Sequence, residues 1–140
     1  MSESITAKAA QGGIEAAVKR ATQIGVPMSI AIIDSGRALV GFLRMDKALL
    51  GSIEIAQAKA FTARTVNART SDLMPLVQPG APFYGLEVSH RQPMVIFGGG
   101  VPITHRGEVI GAIGVSGGSA EQDVDVAEAG ARFLQGLETF

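Results

Sequence analysis

Residues 98–123 read GGGVPITHRGEVIGAIGVSGGSAEQD, and this stretch decides the architecture. Residues 101–104 and 108–115 are rich in β-branched side chains and flank His105-Arg106-Gly107, the pattern of two strands joined by a tight turn. Ser116-Gly117-Gly118 follows, where the chain can bend without a Cβ clash. Ser119 fits the N-cap of a helix, and Gln122 three residues later completes a capping box. A hairpin therefore runs directly into a capped helix. Free backbone N–H groups and the positive end of the helix dipole meet at this junction, so an anion or a ligand carboxylate is expected to find a site there.

Outward from this stretch the same pattern recurs. Residues 6–24 carry apolar Ala10, Ile14, Ala17, Ala21 and Ile24 at helical spacing. Gly12-Gly13 suits a helix lying close to another backbone, Gly25 suits a C-cap, and Pro27 blocks continuation. Residues 28–34 (MSIAIID) read as a strand apolar on both faces and hence central. Residues 38–44 (ALVGFLR) are its antiparallel partner across Ser35-Gly36-Arg37. Ser52 is the expected cap of a helix over 53–67, and a short helical piece is expected from Ser71 or Asp72 to near Pro75. Residues 78–93 lack periodicity and carry four of the proline and glycine breakers Pro79, Gly80, Pro82, Gly85 and Pro93 in their first eight positions. An irregular segment of this length is usually functional or an interface arm. Residues 94–97 are expected to add a short strand, and residues 120–137 to form the last helix, buried through Val124, Ala127, Ala131, Leu134 and Leu137. The expected fold is α+β: a five-stranded antiparallel sheet flanked by helices, in one domain over residues 1–140.

Composition narrows the function classes. Twelve basic residues balance thirteen acidic ones, and there is no basic stripe with interleaved aromatics, so no nucleic-acid partner is expected. No apolar run reaches the roughly 18–20 residues of a membrane helix, and the N-terminus has no signal-peptide pattern, so no membrane partner is expected. The absence of cysteine excludes thiolate catalysis and Cys-built zinc sites and fits a cytoplasmic location. A hydrophobic fraction of 46% with only 18% charged residues points to surface covered by further copies of the chain.

Few residues carry candidate chemistry. Lys59 has two readings: a stem snorkelling beside the apolar stripe, or a cation directed into a pocket toward an acidic ligand. Arg44 at a strand end is either a surface ion pair with Asp46 or a bidentate grip on a ligand carboxylate. Glu121, Gln122 and Asp123 serve the helix start, or one carboxylate faces Lys59 or a ligand. His90 and His105 read as loop histidines. His90 is the better candidate for a metal or haem-iron ligand, because Phe83 and Tyr84 of the same segment can wall an apolar ligand. Ser116, Gly117 and Gly118 supply backbone amides, and Ser116 lacks the context of an activated nucleophile.

Residues 29–46 (SIAIIDSGRALVGFLRMD), 51–63 (GSIEIAQAKAFTA) and 98–130, with QPGAPFYGLE at 78–87, resemble the GlcG/HbpS-like family, also called haem-degrading. The same domain forms the C-terminal part of PduO-type cobalamin adenosyltransferases. The resemblance spans nearly the whole chain in order. It implies a PAS- or profilin-like sandwich, homo-oligomers that are often octamers built from dimers, and ties to haem, to cobalamin-related contexts and to small hydroxy acids. Lys59, the Glu121-Gln122-Asp123 block, Asp34, Arg44 and Asp46 sit on the family pattern, which assigns no haem ligand to this chain.

Three functions follow as expectations. A haem- or tetrapyrrole-binding protein would use Phe83, Tyr84 and His90 as a slot, with Arg44 or Lys59 at the propionates. A small hydroxy- or keto-acid binder or minor catabolic enzyme would use Lys59, Arg44 and the amides of residues 116–119. An oligomeric scaffold would use the glycines and the 78–93 arm for assembly.

Overall fold

The computed structural model describes residues 3–140. Helix α1 (Ala7–Ile24) leads into the hairpin β1 (Ser29–Asp34) and β2 (Leu39–Arg44). Helix α2 (Ser52–Val66) and a short α3 (Thr70–Leu73) follow, then a second hairpin, β3 (Gly100–His105) and β4 (Glu108–Ser116), and finally α4 (Ala120–Gln135). The strands form one antiparallel sheet in the order β2-β1-β4-β3. Strand β1 is interior, as its unbroken apolar run requires.

The sheet has four strands, and the fifth expected over residues 94–97 is absent. The backbone N–H of Val95 donates to Thr62 Oγ1 at 2.9 Å on α2, and that of Met94 donates to Glu87 O at 3.4 Å. A segment whose donors are spent on a helix side chain and a loop has no ladder to join. The segment is therefore a tether over α2. The expected cap at Ser52 is corrected too. Ser52 is the first residue of α2, and its hydroxyl donates to Leu49 O and lies 2.8 Å from Ser29 Oγ.

Alternation along the strands sends two sets of side chains to opposite faces. Ile30, Ile32, Ile113 and Val115 join the core beneath α1 and α4. Those helices pack closely where Gly13 meets Gly130: a Cβ at Gly130 would stand 3.1 Å from Gly13 O. The other face carries Ala31, Ile33, Ala112 and Gly114 and receives α2 through Ala56, Ala60 and Ala63. Small residues on both sides bring this helix onto the backbone of β4. A Cβ at Gly114 would stand 2.6 Å from Ala60 N. The buried stripe of α4 runs through Val126, Ala127, Gly130, Ala131 and Leu134, with Val124 and Leu137 only half-buried.

Candidate functional site

The close approach of α2 delivers Lys59 to the end of β4. Its side chain is fully buried, and the ammonium donates to Val115 O at 2.9 Å and to Asp123 Oδ2 at 2.8 Å. The Phe97 ring lies on another side of it, 5.0 Å away to the centroid. Gly99, at φ +130°, leaves room for this stem, since a Cβ there would stand 2.7 Å from the ammonium nitrogen. Burial pulls the Lys59 pKa below the ordinary lysine value against the opposing pull of Asp123. Burial likewise pushes the Asp123 carboxyl above its ordinary value, while Lys59 and the Gly118 N–H hold it down. The snorkelling reading of Lys59 is thus replaced by a buried, paired cation. The expectation that Lys59 grips a ligand acid is corrected as well, because its charge is already met by Asp123.

The hinge and cap have the local geometry their residue types require. Gly117 has φ +147°, and Ser119 opens α4 with a complete capping box. Ser119 Oγ accepts from Gln122 N–H at 3.2 Å, and Gln122 Oε1 accepts from Ser119 N–H at 2.9 Å. Asp123 Oδ1 accepts from Gly118 N–H at 2.8 Å. The amides of Gly118 and Ser119, expected to receive a ligand anion, are therefore already filled by Asp123 and Gln122. Glu121 and Gln122 are exposed on the solvent side of this turn.

Beside the pair lies an open groove of about 550 Å³. Its walls are Leu49, Leu50, Ile55, Phe97 and Ala120, and Leu49 and Leu50 are 68% and 78% exposed. Its floor is the buried set Ser52, Ser116 and Asp123, with Gly117 and Gly118 alongside. Among the described residues no Arg, Lys or His lines it.

The fold gathers Lys59, Ser116, Gly117, Gly118 and Asp123 into one corner and leaves the other expected site residues outside the groove. Arg44 spends its Nε and Nη2 on Ala48 O, at 3.2 and 2.6 Å, and so braces the turn that precedes Leu49 and Leu50. Its expected grip on a ligand would have to use the remaining Nη1, outside the groove. Phe83 and Tyr84 are exposed on the irregular arm and do not wall the groove. His90 is exposed on the same arm, its ring edge-on to Phe61 at 6.3 Å. His105 Nδ1 lies 2.8 Å from Glu3 Oε2 without hydrogen-bond geometry, away from the groove. Sequence reasoning missed Leu49, Leu50, Ile55 and Phe97. The visible signal was an apolar Leu-Leu pair between a turn and a helix, where solvated loop residues are the norm. Among the described residues no three His, Asp or Glu side chains come together as a metal site, and no helix is long and apolar enough to cross a membrane.

Known proteins of this shape are close in sequence as well. The Klebsiella pneumoniae protein ORFY superposes with a TM-score of 0.95 at 38% identity, over 99% of this chain and 95% of that one. The structure described as the PduOC:heme complex superposes at 0.89 with 39% identity, over 93% and 94% of the two chains. The corrinoid adenosyltransferase PduO of Citrobacter freundii is 45% identical over 113 residues, 81% of this chain but only 34% of that protein. The family described as haem degrading protein HbpS-like matches residues 5–132. With the match running from before α1 into the last turn of α4, the chain belongs to the HbpS-like family.

Proposed function

We propose that the protein binds haem or a related tetrapyrrole in the groove beside the Lys59–Asp123 pair. The observation that carries this reading is the exposed apolar wall of Leu49, Leu50 and Phe97 over a cavity of about 550 Å³, within the usual range for small-molecule sites. Large apolar side chains left this open mark a surface meant to be covered. The relative solved with haem supports the same ligand class. The walls suit the flat apolar faces of the ring. The groove offers no cation, so ligand carboxylates belong at its open side, toward water. This also disfavours a small hydroxy acid, which would place its charge beside Asp123 with no free partner.

Among the described residues the lining itself holds none that could ligate the iron, and His90, the ligand candidate of the sequence, stands outside it on the 78–93 arm, edge-on to Phe61. Bound haem would supply the redox chemistry of its iron; the chain supplies the apolar walls and excludes water from the ring faces.

Haemin added to the purified protein is expected to give a saturable Soret shift. Leu50→Glu, at a position too exposed to disturb folding, is expected to weaken binding at least about tenfold by placing a carboxylate against the ring. Unsaturable haemin uptake indifferent to Leu50→Glu overturns the reading.

A second observation favours assembly. Leu76, Phe83, Tyr84 and Val88 are all exposed along one arm, as an interface between copies requires. We infer a homo-oligomer, with the octamer implied by the family as its expected size. Light scattering should report a mass several times 14.5 kDa, and Val88→Glu should reduce it; a monomer at micromolar concentration excludes the idea.

A further inference from the structure

The groove floor holds two polar groups with unspent hydrogen-bonding capacity, which the apolar walls leave unexplained. Ser116 is buried to 6% exposure at the end of β4, lines the groove, and its hydroxyl makes no hydrogen bond among the described residues. The hydroxyl is open to the groove rather than sealed from solvent, so a ligand there can take over its hydrogen bond from water. Ser52, the other floor serine, is satisfied by Leu49 O and Ser29. Asp123 lines the same floor. Each of its oxygens accepts one strong bond, Oδ1 from Gly118 and Oδ2 from Lys59, and a carboxylate oxygen can accept a second.

The floor therefore offers a hydroxyl donor and a carboxylate acceptor, and its charge is neutralised from behind by Lys59. A complementary ligand group carries an acceptor and a donor side by side and has no charge of its own. A second carboxylate would lie against Asp123 without a cation. An amine would duplicate Lys59. A cyclic amide meets both requirements, since its C=O and N–H point the same way from adjacent atoms.

This choice bears on which tetrapyrrole fits. A closed porphyrin keeps its polar atoms at the ring centre and the carboxylate tips, with an apolar edge between. An open-chain tetrapyrrole ends in two lactam rings, each presenting C=O beside N–H. We propose that the groove recognises an open-chain tetrapyrrole through a terminal lactam, Ser116 donating to its carbonyl and Asp123 accepting from its N–H. This rests on the tetrapyrrole reading above and narrows it to the ring-opened form.

Absorbance titrations of the full chain with biliverdin, with biliverdin methylated at its lactam groups, and with haemin test the proposal. Biliverdin is expected to bind saturably. Ser116→Ala and lactam methylation should each weaken it about tenfold, the effect of one hydrogen bond, and Ser116→Ala should lower biliverdin affinity by a larger factor than haemin affinity. The methylated ligand keeps the test independent of how the variant folds. Saturable haemin binding with no biliverdin binding overturns the lactam assignment and leaves the tetrapyrrole reading standing. Equal loss of both ligands in Ser116→Ala, or no effect of methylation, also overturns it. Failure of all three ligands to bind removes the tetrapyrrole reading and this proposal with it.

Discussion

Replacing Lys59 by methionine is expected to lower the unfolding free energy by about 3–5 kcal/mol, the usual cost of stranding one member of a buried ion pair. The side chain is fully buried and Asp123 nearly so, so solvent cannot take over the lost contact. The loss should also depend on pH in a defined direction. Without Lys59, burial is left to raise the Asp123 carboxyl, opposed chiefly by the Gly118 N–H. A carboxyl raised in the native state keeps its proton to higher pH than in the unfolded chain. Stability is then lost as pH rises from the unfolded value of about 4 through the native one. The deficit of Lys59→Met should therefore shrink on acidification from pH 7 toward about pH 4, where Asp123 is neutral. Adding Asp123→Asn, which removes the charge and keeps an acceptor for Gly118, should recover more than half of the loss at neutral pH. Urea unfolding of the two single variants and the double measures this directly. Additive losses would mean that the two groups do not act on each other.

The second large effect is expected at Gly114. It faces α2 near the end of β4, where a Cβ would stand 2.6 Å from Ala60 N and overlap Ala56 O. Backbone cannot step aside as a long side chain can, so Gly114→Ala must lift α2 from the sheet. A cost of about 3 kcal/mol or more follows from overpacking of this kind. Lys59 precedes Ala60, so the same shift pulls the ammonium away from Val115 O and Asp123, and haemin affinity should fall with stability. Gly51→Ala is the control: its Cβ would meet nothing within 4 Å, and the variant should unfold within about 0.5 kcal/mol of the parent. A Gly114→Ala protein as stable as the control would show that α2 does not need its close seat.

Much of the secondary structure was legible because its causes are local. The Gly25 C-cap at φ +74°, the Ser119–Gln122 capping box and the bend at Gly117 each follow from residues within a few positions of one another. The two hairpins followed from β-branched runs around short turns. The fifth strand failed for a non-local reason: residues 94–97 have strand-like side chains, but Thr62 on α2 takes the Val95 N–H that a ladder would need. The site was half legible for the same reason. Lys59 and Asp123 were visible as candidates, yet their partnership across 64 residues of chain was one option among several.

By itself the amino-acid sequence determined the element types outside residues 94–97, the two hairpins, the capped helix after the glycine bend and the family. All of these depend on short-range geometry or on residue order. Tertiary structure alone decided that Lys59 is buried and spent on Asp123, that the helix-start amides are filled from within, and that Leu49, Leu50 and Phe97 form the groove walls. It also decided that the Ser116 hydroxyl, at the groove floor, has no hydrogen-bond partner among the described residues. The physical reason is that satisfaction of a charge or a hydroxyl depends on which distant groups the packing brings within about 3 Å of it, and no local pattern in the chain encodes that meeting.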